Sequence, residues 1–389
     1  MRIYLFSVLL TALMALPLSA QQLSSHFFWH DNIQREYSIY VPAAYDGSQA
    51  VPLLFNLHGY GSNKDQQDFY GDFKAIADTA NFLICLPNGT FDSTGSRFWN
   101  VGFGGATIDD AGFLMSLLDS LSQQYHIDPA RVYSTGMSNG GFMSFTLACE
   151  QANRVAAIAS VTGSITYTQQ NNCTPPRPVP VMQIHGTADP TVPYNGTNFS
   201  MPIDDVITHW IAHNNCNATP IETPIPDINT TDNCTTTRFD YGGCDENTAV
   251  VLYKVENGAH TWPGSIINFP GTSYDFNASV EVWRFLSQYR LPDIFLATPT
   301  IPNSSKNAVV AFPNPCQDRQ LGLALPKSYT KNSVNVSIQD LCGKIVFQQN
   351  IPVQKHRAKL QLHELTKGIY QICIRLDDLL DRQMVVFVD

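Results

Sequence analysis

The sequence predicts an α/β fold with a mostly parallel central sheet, followed by a small all-β domain. Three observations carry this. Short apolar, β-branched runs alternate with helical patterns from about residue 35 to 292, a proline-rich polar stretch then interrupts them, and only strand-like patterns follow.

In the first part, strands are predicted at Tyr37–Val41, Pro52–Leu57, Phe82–Leu86, Arg131–Thr135, Ala156–Val161, Val179–Ile184 and Val250–Val255. Their nearly continuous apolar character suits strands buried on both faces. Between them, Asp68–Thr79, Asp109–Tyr125, Gly141–Glu150, Asp204–His213 and Ser279–Tyr289 carry apolar residues at helical spacing. The pair Asp109-Asp110 opens its helix where carboxylates offset the helix dipole, so capping accounts for both.

Leu291 to Asn307, with Pro292, Pro299 and Pro302, reads as a linker whose core is residues 293–307. Beyond it, residues 308–389 alternate in Val334–Ile338, Lys344–Phe347, Lys359–Leu362, Ile369–Ile374 and Met384–Val388, the pattern of a small β-sandwich. At the other end, Arg2, the apolar run Ile3–Leu16 and Pro17–Ala20 have the layout of a secretory signal peptide over residues 1–20. The first domain is therefore expected over residues 21–292. No later segment is long enough to span a bilayer, so no transmembrane segment is expected in the mature chain.

With 389 residues, 44% hydrophobic and 14% charged, the chain can bury a full core. A net charge of −10 offers no basic track for a phosphate backbone, so no nucleic-acid partner is expected. Nine cysteines in an exported chain imply disulfides with at least one left over. Cys85, inside an apolar strand, is expected to be buried and free. Order alone does not fix the pairing of the others; Cys149 with Cys173 is favoured, and Cys216 with either Cys234 or Cys244.

The sharpest chemical signal is Gly136-Met-Ser138-Asn-Gly140, between the strand Arg131–Thr135 and a helix-like run from Gly141. Strand, G-x-S-x-G, helix is the context of a nucleophile elbow, which specifies an α/β-hydrolase fold with Ser138 as nucleophile. In that fold an acid and then a histidine follow in chain order, each past the end of a strand. Asp189 follows the strand Val179–Ile184, and His260 follows Val250–Val255. Alone, each has a plainer reading as a turn aspartate or a loop histidine; order and strand position together favour a triad.

An oxyanion hole needs two backbone N–H groups, assigned here to Asn139 and to Tyr60 in His58-Gly-Tyr60-Gly61. His58 and His185 are read as structural histidines holding their loops. Trp262 and Trp99 are candidates for lining a substrate pocket, with packing as the plainer alternative and of at least equal weight for Trp99. His209 and His213 stand at metal-ligand spacing without a third ligand, and are read as surface residues. The chemistry requires no metal or organic cofactor.

Five motifs, namely Leu57-His-Gly-Tyr-Gly61, Asp109-Asp-Ala-Gly-Phe113, Arg131–Gly141, His185-Gly-Thr-Ala-Asp-Pro190 and His260-Thr-Trp-Pro-Gly264, resemble the secreted polyhydroxybutyrate depolymerase and feruloyl esterase family. The resemblance implies Ser138, Asp189 and His260 as the triad and supports the Cys149–Cys173 pairing. It implies an ester substrate: acyl esters on plant polysaccharides, short aryl esters or polyester chains. Feruloyl or acetyl groups on plant polysaccharides are favoured over polyhydroxybutyrate, because the tailing domain suits a surface-displayed polymer degrader.

The C-terminal domain resembles the type IX secretion sorting domain of Bacteroidetes bacteria through Phe312-Pro-Asn-Pro315, Asp340-Leu-Cys-Gly-Lys344 and Leu365-Thr-Lys-Gly-Ile-Tyr370. That implies the secretion machinery as a partner and an extracellular or cell-surface location. Two rival readings are a serine peptidase, for which no cap or propeller is visible, and a non-catalytic surface binding protein on a hydrolase scaffold.

Overall fold

The computed structural model describes residues 21–102, 107–292 and 310–387, the last with breaks at 313–319, 326–328, 341–343, 363–364, 367 and 377–378. The expected signal peptide, the linker at 293–307, Cys316, Cys342 and parts of the C-terminal motifs lie outside the described residues.

Two compact units form. In chain order the first contains β1 (Gln22–His30) and β2 (Ile33–Val41) apart from Trp29–Ile33, then β3 (Val51–Leu57), α1 (Lys64–Tyr70), α2 (Lys74–Ala80), β4 (Leu83–Pro87), β5 (Thr90–Phe91) and β6 (Arg97–Phe98). It continues with α3 (Asp110–Gln124), β7 (Ile127–Met137), α4 (Asn139–Glu150), β8 (Ala157–Val161), α5 (Tyr167–Asn172) and β9 (Val181–Gly186). α6 (Ile203–His213), β10 (Ile221–Pro224), β11 (Thr235–Tyr241), β12 (Val250–Glu256) and α7 (Ala278–Leu286) complete it.

Ten strands form one sheet in the order β1-β2-β4-β3-β7-β8-β9-β12-β11-β10. The six from β4 to β12 are parallel, and β2, β11 and β10 join antiparallel. Successive side chains on a strand point to opposite faces, so each central strand feeds two cores. On β3, Leu53, Phe55 and Leu57 join the cluster under α3, α4 and α6, while Leu54 joins the cluster under α2 and α7. This is why the parallel strands read as unbroken apolar runs.

All seven predicted strands are found. β1, β10 and β11 were not expected, and neither was α5. The predicted helix Asp68–Thr79 is two helices: the chain breaks at Gly71, whose carbonyl accepts from Asn56 Nδ2 at 2.9 Å. A Cβ there would stand 2.7 Å from Gln67 Nε2. The capping account of Asp109-Asp110 is half right. Asp109 caps α3 by accepting from Gly112 N–H at 2.7 Å, but Asp110 is buried, paired with Arg35 at 2.6 Å, and accepts from Asn100 N–H at 2.7 Å. Its charge is spent on tertiary structure.

Disulfides join Cys149 to Cys173 and Cys216 to Cys244, and among the described residues Cys85 and Cys234 are free, buried thiols. The alternative of Cys216 with Cys234 is thereby closed. Burial pushes the Cys85 thiol well above its ordinary pKa, so it behaves as a small apolar side chain.

The second unit is all antiparallel. β13 (Val310–Phe312), β14 (Gln320–Ala324) and β17 (Arg357–Gln361) make one sheet; β15 (Ser333–Gln339), β16 (Ile345–Pro352), β18 (Gly368–Leu376) and β19 (Leu379–Phe387) make the other. Leu321, Leu323 and Leu360 from the first share one buried cluster with Val334, Val336, Ile338, Ile372 and Ile374 from the second. Sheet against sheet over one core is the predicted sandwich.

Candidate active site

Parallel strands deliver their C-terminal ends to one edge of a sheet, and loops leaving that edge meet above it. Here four such loops converge, after β3, β7, β9 and β12. β9 and β12 are direct neighbours, which sets Asp189 and His260 side by side.

Ser138 sits between β7 and α4 with φ 54° and ψ −118°, a conformation that strains any L-residue. Its N–H is held by the Val161 carbonyl at 2.8 Å, and its carbonyl accepts from Phe142 N–H at 3.0 Å. The flanking glycines serve close approach rather than positive φ: a Cβ on Gly136 would lie 2.5 Å from the Leu57 carbonyl oxygen, and one on Gly140 only 2.1 Å from it. The elbow can form only because β3 and the start of α4 touch backbone to backbone. Asn139 opens α4, so its N–H is among those that a helix leaves without an internal partner.

Asp189 is buried and its carboxylate is fully engaged. Oδ1 accepts from Thr191 N–H at 2.8 Å and from Val192 N–H at 2.9 Å, and Oδ2 meets His260 Nδ1 at 2.7 Å. The carboxylate therefore holds the proton on Nδ1, which leaves Nε2 of His260 as the nitrogen with an open lone pair. The two loops are also bonded to each other: Ala188 N–H donates to the Gly258 carbonyl at 2.9 Å, and Asn257 N–H to Thr187 Oγ1 at 2.9 Å.

His58 and His185 are structural. Burial drives each pKa down to about 4, so both rings are neutral near pH 7. His58 Nε2 accepts from Gly89 N–H at 2.9 Å, so Nδ1 carries the proton and donates to the Gly59 carbonyl at 2.7 Å. His185 accepts from Gln183 Nε2 on Nδ1 at 2.9 Å and donates from Nε2 to the Val192 carbonyl at 2.8 Å.

A cavity of about 290 Å³ opens above this edge, and Ser138, His260, Tyr60 and Trp262 all line it. Tyr70, Met137, Ile267 and Phe269 give it an apolar wall. Trp262 presents part of its surface there while its indole N–H donates to Ser279 Oγ at 3.1 Å. Tyr60 is exposed on the rim, its hydroxyl donating to Asp92 Oδ2 at 2.6 Å.

Trp99 does not line the cavity. It is 0% exposed, and its indole N–H donates to the His58 carbonyl at 2.9 Å, so the pocket role expected of it is replaced by a role in the loop beneath. His209 and His213 are half-buried rather than free on the surface. Each ring stands edge-on to Trp210, and His213 Nε2 lies 3.0 Å from the Arg177 carbonyl. Sequence reasoning missed the wall at Ser265–Thr272. Its signal was the apolar run Ile266-Ile267-Asn-Phe269 in a segment bounded by Gly264 and Pro270-Gly271, with neither helical nor strand period.

Residues 35–192 match the Esterase PHB depolymerase family, a span that contains Ser138 and Asp189 and ends short of His260. Residues 310–386 match the secretion system C-terminal sorting domain. Two segments of the chain are thus similar to known families, the first to an esterase family and the second to a sorting domain.

The esterase domain is similar to a bifunctional acetylxylan esterase/xylanase of Neocallimastix patriciarum, 23% identical over 70% of this chain and 37% of that protein. It is also similar to a probable feruloyl esterase C of Aspergillus niger, 26% identical over 58% of this chain and 76% of that one. The chain thus spans little more than a third of the length of the first relative. Among solved structures, an acetyl xylan esterase from Aspergillus awamori aligns with a TM-score of 0.46 and 14% identity, over 61% of this chain and 94% of that one. The sorting domain marks the chain as a secreted or cell-surface protein of the type IX pathway.

Proposed function

We propose that the protein is a serine carboxylic-ester hydrolase acting through Ser138, His260 and Asp189. His260 Nε2 takes the Ser138 proton as the oxygen attacks the ester carbonyl. Asp189 fixes the tautomer and stabilises the imidazolium that forms, and the N–H groups of Asn139 and Tyr60 receive the oxyanion. The imidazolium returns its proton to the departing alcohol as the acyl-enzyme forms; water, deprotonated by the same imidazole, then attacks the acyl carbon and releases the acid, and the proton returns to Ser138. The observation that carries the reading is the 2.7 Å bond from His260 Nδ1 to a buried, doubly anchored Asp189, above a cavity that Ser138 also lines.

For the substrate we favour acetyl or feruloyl esters on plant polysaccharides. The activities for which the relatives are named and a sorting domain suited to display at the cell surface support this. Polyhydroxybutyrate is the second reading, favoured by the family whose description matches residues 35–192. We read residues 21–292 as the catalytic domain, 293–307 as linker and 308–389 as the secretion address.

The test is turnover of p-nitrophenyl acetate by the wild type and by Ser138→Ala, followed by a panel of methyl ferulate, acetylated xylan and polyhydroxybutyrate. Ser138→Ala is expected to lose at least about 10³-fold in kcat with an unchanged circular dichroism spectrum. Wild-type turnover in the folded variant removes the serine mechanism. Preference for the polyester over both other substrates removes the favoured substrate class alone.

A further inference from the structure

The two oxyanion donors come from loops far apart in sequence, and a single residue lies against both. Trp99 Nε1–H donates to the carbonyl of His58 at 2.9 Å, at the root of the turn that presents Tyr60. The main chain of Trp99 is gripped by the side-chain amide of Asn139: Trp99 N–H donates to Asn139 Oδ1 at 2.6 Å, and Asn139 Nδ2 donates to the Trp99 carbonyl at 3.1 Å. Asn139 is the residue after Ser138, so this amide fixes the peptide that carries the other donor.

The segment bearing Trp99 is itself immobilised. On one side of it, Arg97 accepts from Gly61 N–H at 2.8 Å, tying the same turn a second time. On the other, Asn100 N–H ends on buried Asp110, which Arg35 pairs at 2.6 Å, and the Arg35 guanidinium lies 3.9 Å over the ring of Phe113. The Trp99 ring packs on the His58 imidazole with centroids 5.1 Å apart. Segment 97–100 thus works as a splint across the two halves of the oxyanion hole, with the bonds of Trp99 to His58 and Asn139 out of water, where each counts most.

We propose that Trp99 is a positioning residue for transition-state binding: its indole N–H and its clamped backbone set the spacing between the Tyr60 and Asn139 N–H groups. This rests on the serine-esterase reading above. Oxyanion donors act only when held where charge develops, and a donor displaced by a fraction of an ångström loses much of its effect. A tryptophan that served packing alone would be replaceable by another aromatic ring with no selective loss at the transition state.

The experiment compares wild type, Trp99→Phe, Asn139→Ala and Ser138→Ala on p-nitrophenyl acetate, with benzeneboronic acid as inhibitor, since its tetrahedral adduct with serine places an oxygen in the oxyanion hole. Trp99→Phe keeps an aromatic ring, smaller than indole, and deletes the N–H; Asn139→Ala releases the backbone clamp. Each is expected to lower kcat by about 10- to 100-fold with KM within about twofold, and to weaken boronate inhibition by a similar factor. The double variant is expected to lose less than the product of the two, because both act through one clamp.

Single variants with kcat and boronate affinity within about twofold of wild type overturn the proposal. So does a rise in KM with boronate inhibition unchanged, which would make Trp99 a substrate contact or a packing residue. If Trp99→Phe does not fold, Asn139→Ala decides alone. A fully active Ser138→Ala removes the esterase reading itself, whereas an inactive Ser138→Ala beside a normal Trp99→Phe removes only the positioning role.

Discussion

The two walls of the cavity are built on opposite principles. On one side, the lining residues Gly59, Tyr60 and Ser138 are held from behind by residues 97–100 and Asn139 through backbone and amide hydrogen bonds, backed by the buried Arg35–Asp110 pair. On the other, Ile267 and Phe269 belong to an exposed loop whose neighbour Ile266 is 75% exposed. In the proposed reaction the first wall faces atoms that are the same in every ester. The second faces whatever acyl or alcohol group the substrate carries. The difference teaches where precision is required: fixed geometry where charge develops, adaptable apolar surface where only contact area is needed.

The largest expected effect comes from the fixed side. Asp189→Asn removes the acceptor that holds the His260 proton on Nδ1, and kcat is expected to fall about 10³- to 10⁴-fold with KM little changed. Steady-state kinetics on p-nitrophenyl acetate read this directly; a loss under tenfold would mean that another group orients the imidazole.

Next in size is Gly140→Ala. Its Cβ would meet the Leu57 carbonyl carbon at 2.6 Å and the oxygen at 2.1 Å, so β3 and α4 must separate. A stability loss of roughly 2–4 kcal/mol is expected, read as a lower urea midpoint. An alanine placed in the apolar loop, Ser265→Ala, adds no atom and should cost under about 1 kcal/mol. Equal costs would erase the contrast between the walls.

Acid should loosen the fixed side through His58 and His185. The folded pKa of each is about 4 against an ordinary 6.5, so between those values the unfolded chain binds protons that the folded chain refuses. Stability is then intact above about pH 6.5 and declines as pH falls toward 4, by up to about 3 kcal/mol for each ring. Urea midpoints from pH 7.5 to 4 should show this slope, and His185→Gln should flatten it.

The smallest effects belong to the open wall. Ile267→Ala and Phe269→Ala should raise KM about 3- to 10-fold for an aromatic ester while leaving kcat and the turnover of an acetyl ester nearly unchanged. A fall in kcat would mean that the loop takes part in the chemistry.

The same contrast explains what could be read from the sequence. The parallel strands were legible because burial on both faces demands continuous apolar runs, and the placing of Ser138, Asp189 and His260 past the ends of their strands because chain order and strand ends constrain it. β1, β10 and β11 were not: β10 is exposed along its whole length and β11 reads Thr-Thr-Thr-Arg-Phe-Asp-Tyr, so neither carries a clean alternation. α5 is short and polar, yet its capping box from Thr166 to Gln169 was there to be found.

Asp110 and Trp99 were misread for one shared reason. Their roles depend on partners 75 and 41 residues away, Arg35 and His58, and no local pattern encodes such a contact. The split of Asp68–Thr79 is similar, since helical periodicity does not reveal that Asn56 and Trp262 crowd Gly71.

The central claim, that Ser138 is a nucleophile activated by His260, is tested most directly by covalent capture. The full chain treated with a fluorophosphonate should gain one label, mapped by peptide mass spectrometry to Ser138. His260→Ala should label at least about 100-fold more slowly, and Ser138→Ala not at all. Labelling at another residue, or equal rates with and without the His260 imidazole, would contradict the account.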